Sequence, residues 1–148
     1  MHHGSINRMA VMATLHCLGG CAIGEVLGLI VGTVLNFNNW QTLLVSVALA
    51  FVFGYSLSVY SLTKAGMAMA AAAILVLAAD TLSITSMEIA DTSTEALIPG
   101  AMNAGLNNLV FWTSMLASLV VAFLVAWPVN RYLLSKGKGH ALTHQHLH

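Results

Sequence analysis

The stretch MAVMATLHCLGGCAIGEVLGLIVGTVL at residues 9–35 decides the fold, because it is apolar along a length that suits a membrane span. A transmembrane helix needs about 20 mainly apolar residues to cross about 30 Å of hydrocarbon. Three more stretches of this kind follow, at residues 42–62, 65–90 and 109–134. The sequence therefore predicts an all-α, polytopic membrane protein whose four transmembrane helices pack as one bundle.

The composition of the chain supports the same class. Of its 148 residues, 58% are hydrophobic and 7% are charged, which leaves too little polar surface for a soluble domain of this size. We predict a single transmembrane domain at residues 1–135 and a histidine-rich cytoplasmic tail at residues 136–148. The first apolar stretch is too long for a secretory signal and carries Glu25, so we interpret it as a retained helix.

The basic residues predict how the bundle is oriented. All five lie on one side of the predicted membrane, at Arg8, Lys64, Arg131, Lys136 and Lys138. The positive-inside rule assigns that side to the cytoplasm. Both termini are therefore predicted to be cytoplasmic, and residues 91–108 to form an external loop. Because this loop is mostly apolar and is broken by Pro99-Gly100, we expect it to cap the bundle near Asp80 as a short re-entrant or interfacial segment.

Four potential ligands lie within about three turns of the first helix, at His16, Cys17, Cys21 and Glu25. A carboxylate within a membrane helix is costly, so Glu25 is a functional candidate. Thiolate and imidazole ligands favour copper(I) or zinc over magnesium or calcium. We interpret this stripe as a soft-metal or proton site. The alternative is that the cysteines only pack as small apolar residues and that His16 bonds a backbone carbonyl.

The tail offers a second group of possible metal ligands. Its four histidines are His140, His144, His146 and His148, and histidine-rich tracts bind divalent metals. The alternative is a solvated tail that contacts anionic lipid through Lys136 and Lys138.

Glycines recur every fourth residue along the first helix, at Gly20, Gly24, Gly28 and Gly32. Small residues at this spacing let another helix approach closely. The stripe therefore predicts a helix interface next to the thiols and Glu25.

Asp80 lies about halfway along the third apolar stretch. If the first and third helices run in the same direction, Asp80 and Glu25 lie at similar depth and could share a proton or a cation. We therefore predict a proton or ion pathway that includes both carboxylates. The alternative is a protonated Asp80 that hydrogen-bonds a neighbouring helix.

Several functional classes lack their sequence signals. The chain has no glycine-rich phosphate loop, no basic stripe suited to nucleic acid and no supported Ser-His-Asp arrangement, so we predict neither an enzyme nor a nucleic-acid-binding protein. Three hypotheses remain. They are a copper-like metal binder or transporter, an accessory subunit of a larger membrane complex, and a proton-coupled small-solute transporter. A bundle this small would need self-association or a partner subunit to enclose a pathway.

Three segments carry a family resemblance: His16 to Glu25, Ile98 to Gly105 and Trp127 to Arg131. Together they resemble the small bacterial membrane proteins of the domain of unknown function 4396, over roughly residues 12–148. The resemblance implies a four-helix fold in a bacterial inner membrane and no particular activity. The chain is more weakly similar to small mercury-uptake membrane proteins, which also carry a cysteine pair in the first helix. Here the cysteines are four residues apart and are followed by Glu25, which departs from that pattern.

Overall fold

The computed structural model describes residues 2–135, which form four long helices joined by short connections. The helices are α1 (His2–Val34), α2 (Asn39–Lys64), α3 (Met69–Leu97) and α4 (Leu109–Ser135), and a short 3₁₀ helix covers Ala101–Asn103. Each long helix contains a segment long and apolar enough to cross a membrane. The protein is therefore an all-α, four-helix membrane-spanning bundle, as the sequence predicts.

Four-residue turns connect α1 to α2 and α2 to α3. Between α1 and α2, Asn36 has a positive φ of 57°, and Asn38 caps the start of α2. The Asn38 side chain accepts a hydrogen bond from the Gln41 backbone N–H at 2.9 Å, and the Gln41 side chain accepts one from the Asn38 N–H at 3.1 Å. This reciprocal pair is a capping box, which fixes where α2 begins. Gly66, with a φ of 101°, makes the turn between α2 and α3.

The glycine stripe of α1 packs directly against α2. The facing pairs are Gly20 with Gly54, Gly24 with Ala50, Gly28 with Ser46 and Gly32 with Thr42. A Cβ atom added at Gly24 would lie 2.5 Å from the Ala50 Cα atom, closer than carbon atoms approach in proteins. The two backbones are therefore in contact from Gly20 to Gly28, and the Thr42 side chain packs on Gly32, as expected for small residues at fourfold spacing.

The face of α1 that carries the cysteines is directed at α3 and α4. Cys17 and Cys21 are buried in one cluster with Ile84 and Met87 of α3 and with two alanines of α4. Side-chain hydrogen bonds link α1 to α4 and α2 to α3. The Asn130 side-chain amide donates to the Thr14 hydroxyl at 2.8 Å, and the hydroxyls of Tyr55 and Thr81 lie 2.6 Å apart.

The outer surface of the bundle is apolar. Large side chains are exposed on every helix, among them Ile23, Leu44, Ile74 and Leu116. An apolar surface of this extent is stable against lipid hydrocarbon, not against water. The antiparallel order also brings Arg8, Lys64 and Arg131 to one end of the bundle, with the turn before Asn39 and the 3₁₀ helix at the other.

α3 ends later than the predicted boundary at residue 90. It continues to Leu97, and Ile98 then adopts an extended conformation with a φ of −89° and a ψ of 119°. Residues 91–97 contain no glycine or proline, whereas Pro99 disfavours a helical conformation at the residue before it. The predicted external loop at 91–108 is therefore too long at its start, because its first seven residues belong to α3.

Candidate functional site

Three carboxylates meet where the C-terminal parts of α1 and α3 pack together. One carboxylate oxygen each from Glu25, Asp91 and Glu95 lie within 4.8 Å of one another. Asp91 and Glu95 are four residues apart on α3, so their side chains stack on one face of the helix. That face is directed at Glu25 of α1. Among the histidine, cysteine and acidic side chains of residues 2–135, these three carboxylates are the group whose ligand atoms lie close enough together to hold one metal ion.

The carboxylates of this group are buried and incompletely paired. Asp91 is 6% exposed, and Glu25 and Glu95 are half-buried. Both carboxylate oxygens of Glu25 and the Oδ1 atom of Asp91 are buried without a hydrogen-bond partner among the described residues. A buried polar atom left unpaired costs about 1–3 kcal/mol, and more when it is charged. The group is therefore suited to a ligand that contacts these oxygens.

The carboxylates line a cleft with an empty volume of about 600 Å³, counted out to its open mouth. All four long helices and the 3₁₀ helix contribute to it. Its polar lining consists of Cys21, Glu25, Asn39, Thr42, Ser46, Glu88, Asp91, Thr92 and Glu95. Four of these residues are acidic, and the lining contains no lysine, arginine or histidine. No residue that lines the cleft could therefore neutralise these carboxylates when they are ionised.

The segment after Pro99 covers the outer end of the cleft. Ala101 and Ala104 are buried, and both line the cleft together with Met102. The Asn39 side-chain amide donates to the Asn103 side-chain oxygen at 2.8 Å, which links this segment to the start of α2. The expected cap is therefore present, but it covers the Glu25, Asp91 and Glu95 group. It does not lie near Asp80, which is eleven residues, or about 16 Å of helix, before Asp91.

Asp80 does not join Glu25 in the carboxylate group. Measured from the C-terminal ends of the two helices, Asp80 lies 17 residues before Leu97, whereas Glu25 lies only nine residues before Val34. The eight-residue difference corresponds to about 12 Å along the helix axis. Asp80 is instead buried within electrostatic range of Cys17. The expectation that Asp80 and Glu25 share one depth fails because α3 starts at Met69 and extends past residue 90.

The two cysteines have different surroundings, and both are free thiols. The Cys21 thiol lines the cleft and lies 3.9 Å from the Met87 sulfur, to which it donates a weak hydrogen bond. Cys17 is fully buried in the core and does not line the cleft. Of the two thiols, only that of Cys21 can therefore contact a molecule or ion bound by the carboxylates.

His16 is separated from this site. Its Nδ1 atom donates a hydrogen bond to the Met12 carbonyl oxygen at 2.8 Å, within α1 itself. Within the described chain, His16, Cys17, Cys21 and Glu25 do not form a group of converging ligand atoms. Cys17 and Glu25 are eight residues apart, or about 12 Å along one helix, which is too far for two ligands of one ion. The copper or zinc assignment of this stripe stays a prediction. The tail histidines His140, His144, His146 and His148 lie outside the described residues.

Sequence reasoning missed three of the acidic residues of the cleft: Glu88, Asp91 and Glu95. None of the three is among the predicted ligands, and Asp91 and Glu95 fall within the predicted external loop. Their spacing of three and then four residues places them on one helix face if the helix continues to Pro99. That spacing, read together with the lack of a helix breaker before Pro99, is the signal that could have found them.

Comparison with known proteins gives a family. The model of the family described as "Domain of unknown function (DUF4396)" matches residues 7–139, which include most of α1 and all of α2, α3 and α4. Neither the search of curated proteins nor the search of solved structures returned a match. The family description names no activity.

Proposed function

We propose that this chain, which belongs to the family of the domain of unknown function 4396, binds a divalent metal cation within the membrane. The ligands are the carboxylates of Glu25, Asp91 and Glu95. The observation that carries this proposal is the close approach of the three carboxylate oxygens, within 4.8 Å of one another, with buried and unpartnered oxygens among them.

The distances between the oxygens suit one cation. Oxygen ligands bind Mg²⁺ at about 2.0–2.1 Å and Ca²⁺ at about 2.3–2.6 Å, so two oxygens on opposite sides of one ion lie about 4–5 Å apart. The 4.8 Å limit of the carboxylate group falls in this range. A small inward movement of the side chains would allow all three to bind one ion.

Charge supports a cation as the ligand. Buried ionised carboxylates repel one another and lose their hydration, and both costs fall when a cation binds between them. No basic residue lines the cleft to neutralise the carboxylates. A cation also gives the unpartnered oxygens of Glu25 and Asp91 a favourable electrostatic contact in place of the hydrogen bonds that they lack. Protons compete for the same oxygens, so we expect cation binding to weaken as the pH falls.

The other hypotheses have less support from the contacts within the bundle. A copper-like site on α1 would need His16, Cys17 and Cys21 to converge, whereas the carboxylates of α1 and α3 already do. A proton-coupled transporter built on Glu25 and Asp80 would need these two carboxylates to lie at one depth, whereas Glu25 lies beside Asp91 and Glu95. The proposal that the chain is an accessory subunit or a homo-oligomer rests on its small size and its apolar outer surface.

We also propose a location and an orientation for the site. The end of the bundle that carries Arg8, Lys64 and Arg131 faces the cytoplasm of a bacterial inner membrane, by the positive-inside rule. The cleft then lies in the outer half of the membrane. A cytoplasmic reporter fused to the C-terminus should be active, and labelling of that terminus from outside the cell would contradict this orientation.

Manganese binding tests the proposed site. Mn²⁺ is added to the full-length protein in lipid nanodiscs, and free Mn²⁺ is measured by electron paramagnetic resonance. All variants carry alanine at the four tail histidines, so that the tail does not bind the ion. We expect one bound Mn²⁺ per chain. Asp91→Asn should weaken binding by about 100-fold or more, since removing one partner from a buried charge pair costs about 3–5 kcal/mol.

The matched control is Asp80→Asn, which makes the same change in the same helix but outside the carboxylate group. Its Mn²⁺ affinity should stay within about threefold of that of the protein that carries only the tail substitutions. The reason is that the Asp80 carboxylate lies about three helical turns from Asp91. Equal losses in the two variants would contradict a site at Glu25, Asp91 and Glu95. Absence of binding in the unsubstituted protein would contradict the proposed function itself.

A further inference from the structure

We propose that the cation of this cleft is a thiophilic divalent transition-metal ion, of the class of Zn²⁺, Co²⁺ and Cd²⁺, and that Cys21 is one of its ligands. This inference rests on the proposed function, because it names the class of cation that the same site takes. It excludes Ca²⁺ and Mg²⁺ as the preferred ions.

Cys21 lies directly beneath the carboxylate group. It precedes Glu25 by four residues on α1, so its side chain is on the same helix face about 6 Å deeper along the axis. Cys21 and the three carboxylates line one cleft. A cation bound in this cleft between Glu25 and Cys21 would have a carboxylate and a thiol one helical turn apart on α1 as ligands.

Cys21 contributes a thiol to the lining of the cleft, and a buried thioether lies behind that thiol. The Met87 sulfur lies 3.9 Å from the Cys21 sulfur, and Met87 is fully buried. Glu88, next to Met87 on α3, lines the cleft and lies within electrostatic range of the Cys21 thiol. The cleft thus offers oxygen ligands and a thiol, with a thioether beside the thiol.

This mixed set of ligands selects among cations. Carboxylates alone suit Mg²⁺ and Ca²⁺, which prefer oxygen, whereas zinc and its neighbours bind thiolate together with carboxylate. The thiol must lose its proton when the metal–sulfur bond forms. Glu88 is near enough to accept that proton, so no base from outside the cleft is required.

Cobalt provides the test, because a cobalt–thiolate bond produces a charge-transfer absorption band in the near ultraviolet. Co²⁺ is added to the full-length protein in nanodiscs, with alanine at the four tail histidines. We expect the band in the unsubstituted protein and in Cys17→Ser, whose thiol does not line the cleft. Cys21→Ser should lose the band and bind Co²⁺ at least about tenfold more weakly.

A second measurement needs no substitution at Cys21. Bound Cd²⁺ should protect Cys21 from alkylation, as measured by mass spectrometry of the unsubstituted protein, and an excess of Ca²⁺ should not. A cobalt band that survives in Cys21→Ser, or alkylation that Cd²⁺ does not slow, would overturn the inference. Mn²⁺ binding without any cobalt band would overturn it and leave the proposed function standing. Failure to bind either Mn²⁺ or Co²⁺ would overturn both.

Discussion

Replacing Gly24 with leucine is expected to disrupt the packing of α1 against α2 and to lower the free energy of unfolding by about 3 kcal/mol or more. Even the first carbon of the new side chain would lie 2.5 Å from the Ala50 Cα atom. That atom belongs to the backbone of α2, so the clash cannot be relieved by rotating a side chain. Thermal unfolding in detergent, followed by far-ultraviolet circular dichroism, measures the loss.

Gly19→Leu is the matched control for this substitution. Gly19 lies on the same helix five residues earlier, and a Cβ atom there would have no neighbour within 4 Å. We expect this variant to unfold within about 0.5 kcal/mol of the unsubstituted protein, as is usual for changes away from a packed contact. Equal destabilisation by the two leucines would show that the glycine stripe has no special part in packing.

Neutralising the three carboxylates together is expected to abolish cation binding and to stabilise the metal-free protein. The variant combines Glu25→Gln, Asp91→Asn and Glu95→Gln. Amides of similar shape keep the side-chain volume but remove the repulsion between buried like charges, so the metal-free variant should unfold at a higher temperature. This is the pattern of a site whose ligand-binding groups are costly when no ligand is bound.

Thermal unfolding with and without Mn²⁺ checks this prediction. A ligand at 100 times its dissociation constant adds about 2.7 kcal/mol to the stability of the state that binds it. The unsubstituted protein should therefore gain stability when Mn²⁺ is added, and the neutral variant should not. The prediction fails if the neutral variant unfolds at a lower temperature in metal-free buffer, or if Mn²⁺ stabilises both proteins equally.

The fold could be predicted from the sequence because membrane insertion depends on long apolar stretches, which are local features. The four predicted stretches correspond to α1, α2, α3 and α4. The glycine spacing of α1 also indicates close packing before any partner is known. The spacing does not identify the partner; in the structure it is α2, which has small residues at matching positions, such as Ala50 opposite Gly24.

The site was predicted only in part, because it depends on which residues of different helices share one depth. Glu25 is a candidate from its sequence setting alone. Its partners are Asp91 and Glu95, and not Asp80, since α3 continues past residue 90 and brings its last turns beside Glu25. An error of seven residues at one helix end therefore moved the acidic partners out of the predicted site. The offset between α1 and α3 is set by packing, which the spacing within one helix does not reveal.

The position of the bound metal tests the central claim most directly. Crystals of the protein grown with Mn²⁺ would be measured at wavelengths on both sides of the manganese absorption edge. We predict one anomalous difference peak per chain, within bonding distance of carboxylate oxygens of Glu25, Asp91 and Glu95. A structure that binds Mn²⁺ only elsewhere, for example beside His16 and Cys17, or that shows no peak in the cleft at saturating Mn²⁺, would contradict the account.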